Sequence, residues 1–223
     1  MSVVAAGFFV GPANASLVFK SLETFQGTGL GVVNTILTIT SPGNTTSETG
    51  SVGRFPGDPN DVITGDTIST NQTQTLTELG VTSASSLRVV FNALESGGVA
   101  NGIRLSNLQL TIFSPTGQVL FNSGSFAPVD FTETQVGTGN SGFVFALDAA
   151  QAAAAQALAF GAGFGNNLVG LAATADRATG GFETFFVANI PGGGGTGTAI
   201  PEPGTIALFG AGLLALVARR RSS

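Results

Sequence analysis

Ile103-Arg-Leu-Ser-Asn-Leu-Gln-Leu-Thr-Ile-Phe113, then Ser114-Pro115-Thr116-Gly117, then Gln118-Val-Leu-Phe-Asn122, reads as strand, turn and strand. Pro115 at the second turn position and Gly117 at the fourth suit a type I hairpin turn, since proline pre-sets φ and glycine accepts the conformation that closes the turn. The same signals recur outward from this hairpin. Leu30–Thr40 alternates and ends on the turn cluster Ser41-Pro42-Gly43-Asn44. Leu87–Glu95 is a further strand, as are Phe131–Val136, Gly142–Leu147, Leu168–Thr174 and Phe182–Ile190. Eight or more short strands with turn signals and no βαβ alternation predict an all-β fold. An antiparallel β-sandwich is expected, with a jelly roll as one arrangement of it.

One segment departs from this pattern. Asp148–Phe160 is rich in Ala and is expected to be a short helix packed against a sheet. Asp148 can cap its first turn, Gln151 is placed to reciprocate as in a capping box, and Gly161 can stop it.

Composition fits a sandwich and narrows function. Of 223 residues, 43% are hydrophobic, enough for a core, but only 9% are charged, against about a quarter in ordinary soluble domains. Thr, Ser, Asn, Gln and 33 Gly stand in place of charge, which suits strands with polar faces joined by tight turns. The chain has no Cys and no His, which excludes disulfides, thiolate catalysis, Cys or His metal ligands and the commonest general base. Trp and Tyr are also missing while Phe occurs 18 times, so the aromatics read as core filler. Up to Ile200 there are five basic residues (Lys20, Arg54, Arg88, Arg104, Arg177) and twelve acidic ones, a net charge of −7. That distribution offers no electrostatic footprint for nucleic acid.

The C-terminus carries the most specific signal. A Gly-rich linker, 191–200, leads to Pro201-Glu202-Pro203, then the apolar run Ile206–Ala218, then Arg219, Arg220 and Arg221. Pro203 fits the first turn of a helix, and Glu202 and the arginines complement its dipole at opposite ends. A helix over Pro203–Ala218 would span about 24 Å at ~1.5 Å per residue, short of the ~30 Å hydrocarbon core but within reach of snorkelling and local thinning. The chain is thus expected to end in a transmembrane helix. The arginines should stay in the cytoplasm and the preceding domain outside.

This order of Pro-Glu-Pro, apolar helix and Arg cluster resembles the sorting signal of PEP-CTERM proteins. The resemblance implies an exported protein, anchored in the inner membrane as a precursor. Its tail would be recognised and removed near Pro201, Glu202 and Pro203 by an exosortase, a membrane-embedded cysteine transpeptidase-like enzyme. The product would then reach the cell surface or an exopolysaccharide matrix, the setting in which such proteins typically occur. Gly142–Gln151 and Gly181–Phe186 look, more loosely, like passenger segments of such proteins. At the other end, Val3–Val10 is apolar and Ala13-Asn14-Ala15 resembles a cleavage site, although no basic residue precedes it. Residues 1–15 are read as a truncated signal peptide, with a first strand as the alternative, and residues 16–190 as the sandwich passenger. Residues 201–223 are the sorting signal.

Chemistry has one sequence candidate in the passenger. Asp58, Asn60, Asp61 and Asp66 crowd oxygen atoms into ten residues, 57–66, and Ca²⁺ takes six to eight such ligands. The spacing is not that of an EF-hand, and the same residues are default turn formers, so a solvated loop is the competing reading. No cofactor other than this calcium ion is expected. Glu95, Glu133, Glu183 and Asp148 are the carboxylates a glycosidase would draw on, but nothing in their spacing pairs them. Each reads more simply as a solvent-facing strand residue or a helix cap. Three sequons, at Asn14, Asn44 and Asn71, carry little weight. The expected role is therefore non-enzymatic: a structural surface or matrix protein, associated with exopolysaccharide. A carbohydrate-binding or adhesive module, stiffened by calcium, is the alternative, and a hydrolase the third reading.

Overall fold

The computed structural model describes residues 17–23, 35–41, 45–68, 70–93, 102–131, 142–178 and 181–190. Contacts divide the chain into two units, Met1–Gly193 and Gly194–Ser223, and every described residue lies in the first. Its strands in chain order are β1 (Leu17–Glu23), β2 (Thr35–Ile39), β3 (Ser47–Arg54), β4 (Asp61–Gly65), β5 (Gln74–Thr75) and β6 (Leu87–Asn92). After these come β7 (Ile103–Phe113), β8 (Val119–Asn122), β9 (Val129–Phe131), β10 (Gly142–Leu147), β11 (Leu168–Asp176) and β12 (Glu183–Asn189). One helix, α1 (Ala149–Ala159), and a 3₁₀ turn at Phe164–Asn166 interrupt them.

The strands pair antiparallel in two sheets. The first runs β1-β10-β6-β12-β2 and the second β4-β3-β11-β7-β8, with β5 added to β11 and β9 to β7. Setting aside β1, β4, β5 and β9, eight strands remain. Counted first to eighth, one sheet runs first-eighth-third-sixth and the other second-seventh-fourth-fifth. That is the strand order of a jelly roll, in which the chain alternates between sheets in two nested Greek keys. The hairpin that anchors the sequence reading holds: Gly117 N–H donates to Ser114 O at 3.0 Å and Ser114 N–H to Gln118 O at 2.8 Å. Gly117 takes φ +81°, as a bulged turn requires, and the β7–β8 pairing shifts by one residue further on, between Ile112 and Phe113.

Side chains from both sheets fill one core. Phe91 and Phe185 stack with ring centroids 4.8 Å apart, and Phe131, Phe143 and Phe145 extend the cluster. β6 is buried at every position because its other face belongs to a second apolar cluster, Val90, Val144, Phe186 and Ala188. A strand covered on both sides reads as a continuous apolar run, as Leu87–Asn92 nearly does.

Several expectations change in detail. Asp148 caps α1 by accepting from Gln151 N–H at 2.8 Å, but the Gln151 side-chain carbonyl is buried without a hydrogen bond, so the capping box is one-sided. The left-handed residue after α1 is Gly163, at φ +75°, rather than Gly161. Asn167 Nδ2 donates to the terminal Ala159 carbonyl at 2.8 Å. Glu183 faces inward and is wholly buried, which corrects its reading as a solvent-facing strand residue. Glu48 is equally buried on β3, with Oε1 accepting from Ser41 Oγ at 2.5 Å and Oε2 lacking a hydrogen bond. Glu95, Glu133, the extensions of several predicted strands, and the 1–15 segment lie outside the described residues.

Candidate functional site

The outward face of the second sheet is a grid of hydroxyl and amide side chains. Strand alternation on β7 turns Leu108, Leu110 and Ile112 into the core and Asn107, Gln109 and Thr111 outward. Register then aligns these with the neighbouring strands. Thr64, Ser51, Ala172 and Gln109 form one row across β4, β3, β11 and β7. Thr49, Thr174 and Asn107 form the next. Neighbouring strands lie about 4.8 Å apart, so hydroxyls in adjacent positions meet. Ser51 Oγ and Thr64 Oγ1 are 2.7 Å apart, Thr49 Oγ1 and Thr174 Oγ1 3.0 Å, and Asn122 Nδ2 donates to Thr111 Oγ1 at 2.8 Å.

A shallow cleft of about 270 Å³ opens in this face. Gly53 and Ala172 contribute to it together with Ser51, Thr64, Gln109 and Thr111, and Phe55, Val62 and Phe113 supply apolar surface. The Phe113 ring lies across glycine backbone: a Cβ on Gly53 would come within 3.2 Å of it, and one on Gly170 within 3.0 Å. Glycine on two neighbouring strands thus gives the ring its seat and leaves Phe113 only 6% exposed. Phe55 is different, at 61% exposed. Its backbone is pinned, since Asp58 N–H donates to Phe55 O at 3.1 Å and Gly57 N–H to Thr116 O at 2.9 Å. Gly117 passes so close that a Cβ there would strike the Phe55 carbonyl. The period-two alternation of polar residues in Ser47–Arg54 and Ile103–Phe113 is the sequence signal for this face. Phe55 has none, because nothing in the sequence sets it apart from the Phe residues that the fold buries, such as Phe91, Phe145 and Phe185.

The acidic segment resolves into separate structural tasks. Asp58 Oδ1 accepts from Asn60 N–H at 2.8 Å and from Asn60 Nδ2 at 2.9 Å. These two bonds, backbone first, hold its carboxyl below the ordinary value. Asp61 pairs with Arg54 Nε at 2.7 Å and accepts from Thr73 N–H and hydroxyl at 2.9 and 2.6 Å. Arg54 also donates to Pro59 O. Asp66 accepts from Thr49 N–H at 3.3 Å, and its own N–H donates to Thr49 O. The four proposed ligands are thus engaged in separate bonds, and 61–65 is not a loop but the edge strand β4, which Asp61 opens. Among the described residues no group of three or more acidic side chains is placed to hold a metal ion.

Pro201, Glu202, Pro203 and Arg219, Arg220 and Arg221 lie outside the described residues, as does the predicted helix between them. Among the described residues no helix is long and apolar enough to cross a membrane. Fold and sequence together define the class: an antiparallel β-sandwich passenger followed by a short apolar tail that ends in arginines. Residues 199–221 match the family model of the PEP-CTERM protein-sorting motif. The chain carries that sorting signal and is consistent with a PEP-CTERM protein. The motif implies processing by exosortase, as a general property of such signals, and a membrane-anchored precursor exported to the cell surface. Comparison with curated proteins gives no match, and comparison with solved structures gives none.

Proposed function

We propose that this chain is a non-enzymatic structural protein of the cell surface, or of an exopolysaccharide matrix it enters once its tail is removed. The observation that carries the reading is the sorting motif over 199–221. The passenger supports it through what its carboxylates do. Asp148 caps a helix, Asp61 is tied to Arg54, and Glu48 and Glu183 are buried on inward-facing positions. In the outward grid of Ser, Thr, Asn and Gln, neutral hydroxyls and amides suit close contact with hydrated polymer.

The test is cellular. Intact mass and location are compared in producing cells with and without their exosortase. Loss of the tail only where the enzyme is present, with the passenger at the surface or in the matrix, is the expected result. A full-length mass in both, or release of sugar or peptide products by the purified protein, overturns the reading.

A further inference from the structure

We propose that the cleft on the outward face of the second sheet binds a segment of a neutral polysaccharide. In this assignment Phe55 is the stacking surface, and Ser51, Thr64, Gln109 and Thr111 are the hydrogen-bonding groups. The proposal rests on the exported, matrix-associated reading above and adds to it a site and a ligand class.

Charge decides between ligand classes first. Arg54 is the one ionisable residue among the described residues that line the cleft, and its guanidinium is already committed to Asp61 and to the Pro59 carbonyl. A charged ligand would therefore find no counter-charge in the lining and would lose solvation without compensation. A neutral polyhydroxylic ligand meets no such cost.

The polar groups are disposed for one. In the Ser51–Thr64 pair one hydroxyl donates to the other, so one proton and several lone pairs remain directed outward. Thr111 Oγ1 accepts from Asn122, which leaves its own proton to donate. Gln109 spends one Nε2 hydrogen on Gly124 O at a long 3.3 Å and keeps its second hydrogen and its carbonyl. Donors and acceptors alternate across neighbouring strands, as ring hydroxyls of a sugar require.

Phe55 supplies the apolar half. Phe55 is 61% exposed, which is costly in water for an apolar side chain, yet its carbonyl is held by the Asp58 N–H and packed against Gly117. The C–H face of a pyranose would cover the ring while its hydroxyls reach the grid. The volume of about 270 Å³ sits below the ~300–1,000 Å³ usual for small-molecule sites, and the cleft is open, which suits a short stretch of a longer chain rather than an engulfed molecule.

The experiment uses the full-length chain in a detergent without a sugar headgroup. Calorimetric titrations use neutral gluco-, manno- and galacto-hexaoses, with an acidic oligogalacturonate as the contrast. At least one neutral hexaose should bind, and the acidic oligomer should bind more weakly. Phe55→Ala and Gln109→Ala should each weaken binding about tenfold, the loss expected of one good contact, with an unchanged melting temperature. Phe55→Leu, which keeps apolar bulk without the ring, should weaken it too, so a folding defect in the alanine variant does not decide the outcome. The proposal is overturned if no neutral hexaose binds, if the acidic oligomer binds tightest, or if the variants bind like the parent. Tail removal in cells is scored separately on Phe55→Ala. A cleft that fails while processing persists refutes the ligand site and leaves the sorting reading standing.

Discussion

The side-chain amide of Asn71 pairs with both backbone groups of Thr38: Oδ1 accepts from the Thr38 N–H and Nδ2 donates to the Thr38 carbonyl, each at 2.9 Å. β2 is the outer strand of its sheet, so these groups would otherwise offer a template to another chain. The cover extends along the strand. Gln72 N–H donates to Ile36 O at 3.2 Å, Gln74 Nε2 to Thr35 O at 3.2 Å, and Thr40 N–H to Asp66 O at 3.0 Å. Residues 66–68 and 70–74 thus form a strap that closes an edge with side chains as much as with backbone. It also gives the Asn71 sequon a different meaning, because its amide is buried and bonded through both its oxygen and its nitrogen.

Asn71→Asp replaces the donor facing Thr38 O with an acceptor, and Asn71→Ala removes both bonds. Each should destabilise by about 2–3 kcal/mol, since buried backbone groups are left without partners. For a chain of this size that corresponds to a fall in Tm of roughly 4–12 °C. Sedimentation should also reveal self-association as the edge opens. A Tm within about 1 °C of the parent for both variants contradicts the strap, being smaller than the shift ascribed to 1 kcal/mol.

Gly50 is needed for a different reason. It faces inward on β3, where an added Cβ would sit 2.4 Å from Thr67 Cγ2 and 2.8 Å from Ile39 Cγ2. Gly50→Ala should therefore cost about 1–3 kcal/mol through overpacking between β3 and the strap, read as a lower midpoint in urea with an unchanged slope. Gly163→Ala is the contrast, because its surroundings are open and only its φ of +75° is strained. Its cost should stay near 1 kcal/mol. Equal losses at the two positions would argue against crowding at Gly50.

The fold was readable in sequence where polar and apolar residues alternate, where a short apolar run is continuous, or where turn chemistry is explicit. Ile103–Phe113 and Gly142–Leu147 fall on the observed strands β7 and β10, and Ser114–Gly117 makes the expected turn. Asp61–Gly65 was not readable as a strand, because β4 is an edge with no buried position and its acidic neighbours look like a loop. The inward Glu48 and Glu183 were hidden for the opposite reason: charge on a strand normally signals solvent. The cleft was legible only in part. Alternating Ser, Thr and Gln mark its face, but the union of rows from β4, β3, β11 and β7 follows from long-range register that local pattern does not encode.

Glu78 closes a small reciprocal cap with Thr75. Its Oε2 accepts from the Thr75 N–H and hydroxyl, each at 2.8 Å, while Glu78 N–H donates back to Thr75 Oγ1 at 3.1 Å. The backbone bond first and the hydroxyl second hold its carboxyl below the ordinary 4.5. A depressed folded-state pKa stabilises above the unfolded value, and the benefit is lost as pH falls through the folded one. Glu78→Gln should therefore lower Tm at neutral pH, and the gap should close as pH drops below 4.5. Because the site is exposed, the difference should be small. A gap that widens in acid has the wrong sign for this arrangement.

Calcium and the ion pair make opposite predictions at Asp61. The Asp61 and Arg54 side chains are only 18% and 15% exposed, and Thr73 donates to the same carboxylate, so its oxygens are committed within the fold. Adding Ca²⁺ or a chelator should then leave Tm unchanged, since an ion stabilises only by binding the folded state. Asp61→Asn should cost about 1–3 kcal/mol, between the values for exposed and buried pairs. Arg54→Gln on the Asp61→Asn background should add less than Arg54→Gln alone, the coupling expected of residues in contact. A calcium-dependent rise in Tm that Asp61→Asn abolishes would instead make Asp61 a ligand and remove the ion pair as the reason for its position.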